Sequence, residues 1–193
     1  MPARTQLPLD PHRVYRTRDF AAWTTNPSRT AKRLVEEGTL EQLAQGLFVC
    51  PKQSRFGRVP PDAREIMRAF LYDAPFVLTG SEQWNALRLG STSVFPMQLV
   101  YNTKRSGEFT FGGLRFFLRR VAFPERPTPE WFAVDLLEHR DMAGVSLDRL
   151  RTNLALALAA GRLAAGRLQE TARLYGTKRT QEIAAEAAAM TTA

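Results

Sequence analysis

The sequence predicts an α+β protein: an N-terminal winged helix-turn-helix over residues 1–55, then an α+β domain over 56–193 with a small antiparallel sheet and C-terminal helices. Three observations predict it. Residues 24–52, "TTNPSRTAKRLVEEGTLEQLAQGLFVCPK", read as a capped helix, a glycine stop and a tight hairpin. "GEFTFGGLRFFLRRV" reads as a second hairpin turning at Gly112-Gly113. From Ser146 onward leucine and alanine recur at helical spacing.

Residues 1–12 hold three prolines and little pattern, and are read as an arm. Thr17 is the expected N-cap of a first helix with Phe20, Ala21 and Trp23 as its apolar residues. "TTNP" breaks that helix, Asn26 or Thr25 caps the next, and Pro27 suits its first turn. Ala31, Leu34 and Val35 then form one buried stripe, and Gly38 ends the helix. Leu40, Leu43, Leu47 and Val49 flank the turn "AQG", and Pro51 closes the second strand.

"KQSRFGRVPPDA" is expected to be a linker. Residues 62–72 follow as an amphipathic helix with Ile66, Met67, Phe70 and Leu71 on its apolar side. "APFVLTG" is a buried strand or helix lead-in, "SEQWNALRLG" a helix capped by Ser81 or Thr79, and "MQLVYNT" a strand. After the Gly112-Gly113 hairpin, "TPEWFAVDLLEHR" suits a helix or a strand-to-helix segment. Residues 146–161, "GRLAAGRLQETARLYG" and "TKRTQEIAAEAAAM" supply three more helices.

Charge is concentrated at one end. The formal net charge is +8, with 23 Arg against 4 Lys. Residues 1–60 carry +5 of it and residues 61–193 only +3. That distribution fits a polyanion-binding module attached to a more neutral body. The single cysteine, Cys50, excludes an internal disulfide and a cysteine zinc site. No apolar run reaches membrane-spanning length and no signal pattern opens the chain, so no membrane partner and a cytoplasmic location are expected.

The helix after "TTNP" has its charges reversed. Arg29, Lys32 and Arg33 stand near its start and Glu36 and Glu37 near its end. A helix dipole favours the opposite order. Double-stranded DNA would reward this one: the N-terminal part of a second helix enters the major groove, where phosphate supplies the missing negative charge. The expected contact set is Thr25, Asn26, Ser28, Arg29, Thr30, Lys32 and Arg33, with Gln45, Lys52 and Arg55 on and after the hairpin. The bland reading is a solvated face with i,i+4 pairs to Glu36 and Glu37. Arg115, Arg119 and Arg120, with Lys178 and Arg179, form either an auxiliary DNA-backbone surface or plain solvated faces.

Enzyme signatures are sparse. The chain holds no GxGxxG, P-loop or HExxH, and Ser81 lacks the glycines of a nucleophile elbow. "VDLLEHRD" offers Asp135, Glu138, His139 and Asp141 to a metal or nuclease site, but reads better as a solvated helix end. No catalytic residue, metal or cofactor is therefore expected. A nuclease or nucleotidyl-transfer enzyme that uses the winged helix for substrate delivery is the alternative. A protein-interaction adaptor is a weaker one, since such winged helices tend to lose the basic face.

"SRTAKRLVEEGTLEQLAQGLFVCP" resembles the winged helix of the AbiE-type (type IV) antitoxins, bacterial transcriptional regulators. Leu34, Gly38, Leu40, Gly46, Phe48 and Pro51 take the places of that family's pattern, with Phe48 where the family often has Tyr. "LTGSEQWNALRLGSTSVFPMQLVYNT", "FTFGGLRFFLRRV" and "ARLYGTKRTQEI" resemble the antitoxin domain of its shorter members. Residues 1–12 do not supply the extra helix that often precedes the helix-turn-helix. The resemblance implies a repressor of its own operon that binds inverted repeats as a monomer or homodimer. It also implies neutralisation of a nucleotidyltransferase-like toxin without a stable complex.

Overall fold

A computed structural model describes residues 7–55, 57–59, 61–91 and 96–192. The chain is α+β, with a three-stranded sheet, a four-stranded sheet, a two-stranded ribbon and seven α-helices among the described residues. It divides into two units, 1–75 with 108–115, and 76–107 with 116–193.

The first unit begins with a strand absent from the sequence reading. β1 (Val14–Arg16) buries both Val14 and Tyr15 and pairs antiparallel with β3 (Leu47–Val49), Val14 opposite Val49. β3 pairs on its other side with β2 (Glu41–Ala44), so the sheet order is β1-β3-β2. The expected first helix is a 3-10 turn over Thr17–Ala22, and Thr17 does not cap it. Arg16 holds the cap position, and its backbone N–H donates to the Asp19 carboxylate at 2.8 Å. Six residues stopped by the "TTNP" break suit a short, tight helix better than an α-helix.

α1 (Pro27–Glu36) follows with Pro27 in its first turn and Asn26 as its cap, the Asn26 Oδ1 accepting the Arg29 N–H at 3.1 Å. Its Ala31 and Leu34 join Tyr15, Phe20, Leu40 and Phe48 in one small core. Gly38 (φ +73°) and Gly46 (φ +74°) supply the left-handed turns that end α1 and join β2 to β3. The expected linker contains a ribbon, β4 (Gln53–Ser54) with β5 (Gly57–Arg58). α2 (Ala63–Phe70) is capped by the Asp62 side chain, and its Arg68 guanidinium donates to the Val14 carbonyl at 3.3 Å.

The second unit centres on β6 (Phe76–Thr79) and β7 (Met97–Asn102), antiparallel with Val77 opposite Tyr101. The four-stranded sheet has the order β6-β7-β9-β8, with β8 (Gly107–Phe111) and β9 (Leu114–Arg120) joined at Gly112-Gly113; residues 108–115 of that hairpin belong to the first unit. α3 (Ser81–Ala86) starts from Gly80 with no side-chain cap; the Thr79 hydroxyl, one expected cap, is used elsewhere. α4 (Pro129–Glu138) and α5 (Leu147–Ala159) are capped by Thr128 and Ser146. α6 (Ala165–Tyr175) starts four residues later than its leucine pattern suggests, and α7 (Lys178–Thr192) closes the chain. Trp84, Leu99, Trp131, Leu136, Leu150, Leu154, Leu168 and Ile183 are central to this unit's core. No helix among the described residues is long and apolar enough to cross a membrane.

Candidate functional site

Two features of the chain carry chemistry, one in each unit. The first is the outer face of α1. Burial of Ala31 and Leu34 fixes the helix rotation, which leaves Ser28, Arg29, Lys32 and Arg33 exposed with Thr25 and Asn26 at the N-terminal end. The predicted set is thus largely on one face, although two members have local tasks. Asn26 spends its oxygen on the cap, and the half-buried Thr30 donates its hydroxyl to Thr24 Oγ1 at 3.1 Å. Gln45 is exposed at the β2–β3 turn, and Lys52 and Arg55 are exposed beyond β3.

The electrostatics of the free helix temper the puzzle of its reversed charges. Lys32 reaches Glu36 at 3.9 Å and Arg33 reaches Glu37 at 3.2 Å, so both i,i+4 pairs form. Such exposed pairs are each worth only about 0.3–0.5 kcal/mol, too little to hold these bases away from a phosphate. Arg29 faces no carboxylate within ion-pair distance among the described residues.

Arg115, Arg119 and Arg120 are all exposed on β9, and Arg115 pairs with Glu108 at 3.6 Å. Strand alternation sends the neighbouring side chains of Arg119 and Arg120 to opposite faces of β9. Lys178 and Arg179 are exposed in the first turn of α7, where Arg179 reaches Glu182 at 3.7 Å.

The second feature overturns the reading of "VDLLEHRD" as a solvated helix end. Asp135 is only 4% exposed. Its Oδ2 accepts the Thr79 hydroxyl at 2.5 Å and the Trp84 indole N–H at 2.8 Å; its Oδ1 accepts the Tyr101 hydroxyl at 2.6 Å. Residues from β6, α3 and β7 thus converge on one carboxylate of α4. His139, one turn on, stacks on Trp84 with ring centroids 5.7 Å apart. Its Nδ1 lies 2.8 Å from the Asp135 carbonyl, which only accepts, so Nδ1 carries the proton. Its Nε2 lies 3.1 Å from the Arg119 guanidinium.

These contacts shift two pKa values. Burial disfavours a charged His139, but the hydrogen bond and charge of Asp135 outweigh it and raise the imidazole above its ordinary value. Burial and the adjacent Asp135 charge push the Tyr101 phenol far up, so it stays a donor. Together Tyr101, Arg119, Trp131, Glu138, His139 and Tyr175 line a cleft of about 180 Å³. Among the described residues, no three His, Cys, Asp or Glu side chains cluster closely enough to hold a metal ion. The sequence reading missed Thr79, Trp84 and Tyr101 because none of them sits in a recognisable spacing with Asp135.

No curated protein matches the chain. A family model does: residues 14–120, from β1 to the end of β9, match it over more than half of the sequence. The chain accordingly belongs to a family of unknown function, DUF6088.

Proposed function

We propose that this protein is a DNA-binding transcriptional repressor that reads duplex DNA with the N-terminal part of α1. In this reading the 3-10 turn, α1 and the β2–β3 hairpin act as a winged helix-turn-helix. The observation that carries it is the exposed face of α1: Ser28, Arg29, Lys32 and Arg33, with Asn26 and Thr25 at the helix start, opposite buried Ala31 and Leu34. Arginine forks suit guanine and phosphate, hydroxyl and amide groups suit base edges and backbone, and the helix N-terminus suits phosphate. Gln45 at the hairpin turn and Lys52 and Arg55 after it supply flanking phosphate contacts.

The resemblance to AbiE-type antitoxins extends the proposal. The protein would repress its own operon through inverted repeats, as a monomer on each repeat or as a homodimer. It would also counteract a nucleotidyltransferase-like toxin without binding it stably. It acts in the cytoplasm and needs no cofactor for this role.

Gel retardation on the chain's own upstream DNA tests the first claim. Wild type should shift a discrete fragment, and Arg29→Glu/Lys32→Glu should not, with an unchanged circular dichroism spectrum. An undiminished shift by the double variant would remove α1 from the interface. Co-expression with a neighbouring nucleotidyltransferase tests the second claim: growth should be rescued by this chain and not by an empty vector.

A further inference from the structure

Two acids, Asp135 and Glu138, and two bases, Arg119 and His139, face the cleft of the second unit. Asp135 is satisfied by Thr79, Trp84 and Tyr101, with His139 Nδ1 at 3.3 Å from its Oδ1. Glu138, the other acid of the cleft, directs Oε1 to the Thr177 backbone N–H at 2.8 Å and the Thr177 hydroxyl at 3.0 Å, at the start of α7. Asp135 is thus engaged through both oxygens and Glu138 through Oε1. Arg119 is not matched by any carboxylate among the described residues; its guanidinium meets the neutral Nε2 of His139 instead. When His139 takes up a second proton, two cationic donors stand 3.1 Å apart across the cleft, and the nearby protein acceptor for Nε2 is the Tyr101 hydroxyl at 3.3 Å, which itself donates to Asp135. Tyr101 and Tyr175 complete the titratable groups that face the imidazole from β7 and α6.

We propose that this cleft binds a small organic carboxylate, its oxygens bridging Arg119 and protonated His139 and its body lying against Trp131, Val134 and Tyr175. Arg119 presents a fork that matches a carboxylate's two oxygens. Asp135 holds the imidazole ring in place from behind, and the Trp84 stack fixes its plane. The aromatic and aliphatic walls suit a planar or branched apolar body. The volume, about 180 Å³, lies below the roughly 300–1,000 Å³ of sites for drug-sized ligands and selects a small molecule. Binding takes up a proton on Nε2, because the anion replaces the Arg119 hydrogen bond with an acceptor that needs two donors.

The chain has two histidines, His12 and His139, so its imidazole proton resonances are easily separated. The test follows both through a pH titration of the full chain with and without saturating sodium benzoate. Benzoate should raise the His139 pKa by about one pH unit and leave His12 unmoved. Arg119→Gln, a change at an exposed residue, should weaken benzoate binding roughly ten- to a hundredfold, and Arg119→Lys should restore only part of it. The proposal is overturned if benzoate leaves the His139 titration unmoved, if Arg119→Gln binds as wild type, or if inorganic phosphate moves His139 and benzoate does not.

Discussion

Asp135 is the residue whose chemistry most constrains the second unit. Three neutral donors and an imidazole surround a carboxylate that is only 4% exposed. A buried charge is tolerable only with such partners. Asp135→Ala strands an indole N–H and two hydroxyls in the core, and should lower unfolding free energy by about 3–5 kcal/mol in urea titration. Asp135→Asn should cost less, since the Thr79 and Tyr101 hydroxyls can rotate to accept from an amide while the indole cannot. His139 gives the same site a pH signature. Its folded pKa stands above the unfolded value. The stabilisation it gains from Asp135 is therefore complete below about pH 6.5, the unfolded value, and is lost as pH rises through the folded one. The stability gap between wild type and His139→Gln should narrow across that rise; a gap constant with pH would show that His139 acts by packing alone.

Elements here are stopped and started by local chemistry. Asn26 caps α1, Asp62 caps α2, and Thr128 and Ser146 cap α4 and α5, each through a side-chain oxygen. Asn26→Ala should lower stability by about 1 kcal/mol, with the loss read as a lower melting temperature. α6 lacks such a residue of its own. Glu130 of α4, 1% exposed, supplies the acceptor, taking the Ala164 N–H at 3.0 Å. Two hairpin and turn glycines separate backbone cost from packing cost. Gly38 (φ +73°) has open space around it, so Gly38→Ala should cost about 1 kcal/mol for the left-handed backbone alone. Gly112 (φ +55°) would place a Cβ 2.7 Å from Leu43 Cδ2, so Gly112→Ala should cost more than Gly38→Ala by calorimetry. Equal losses would mean that Leu43 yields freely.

On the scale of the whole molecule, the surplus of positive charge lies in residues 1–60, where α1 and its hairpin also lie. Affinity for DNA should accordingly fall steeply with salt, and Arg29→Glu/Lys32→Glu should reduce the log–log slope by about two if both residues meet phosphate. An unchanged slope with residual binding would place the phosphate contacts elsewhere on the chain. The units differ in how readable they were. The face of α1 was visible because every residue that defines it lies within about three helical turns. The cleft was not: Asp135 is 56, 51 and 34 residues from Thr79, Trp84 and Tyr101. β1 escaped notice for the same reason, since three residues carry no readable period and their partner β3 lies more than thirty residues on.

By itself the sequence determined the helices with strong caps, the glycine turns at Gly46 and Gly112-Gly113, and the basic face opposite Ala31 and Leu34. Those features depend on backbone preference and on periods of a few residues, which a chain carries wherever it folds. Tertiary structure alone decided that β1 completes the first sheet. It also decided that Asp135 is buried and that His139 packs against it at the cleft. A carboxylate at a helix end is compatible with solvent or with a buried network. Only the arrival of donors from distant strands makes the buried state the stable one.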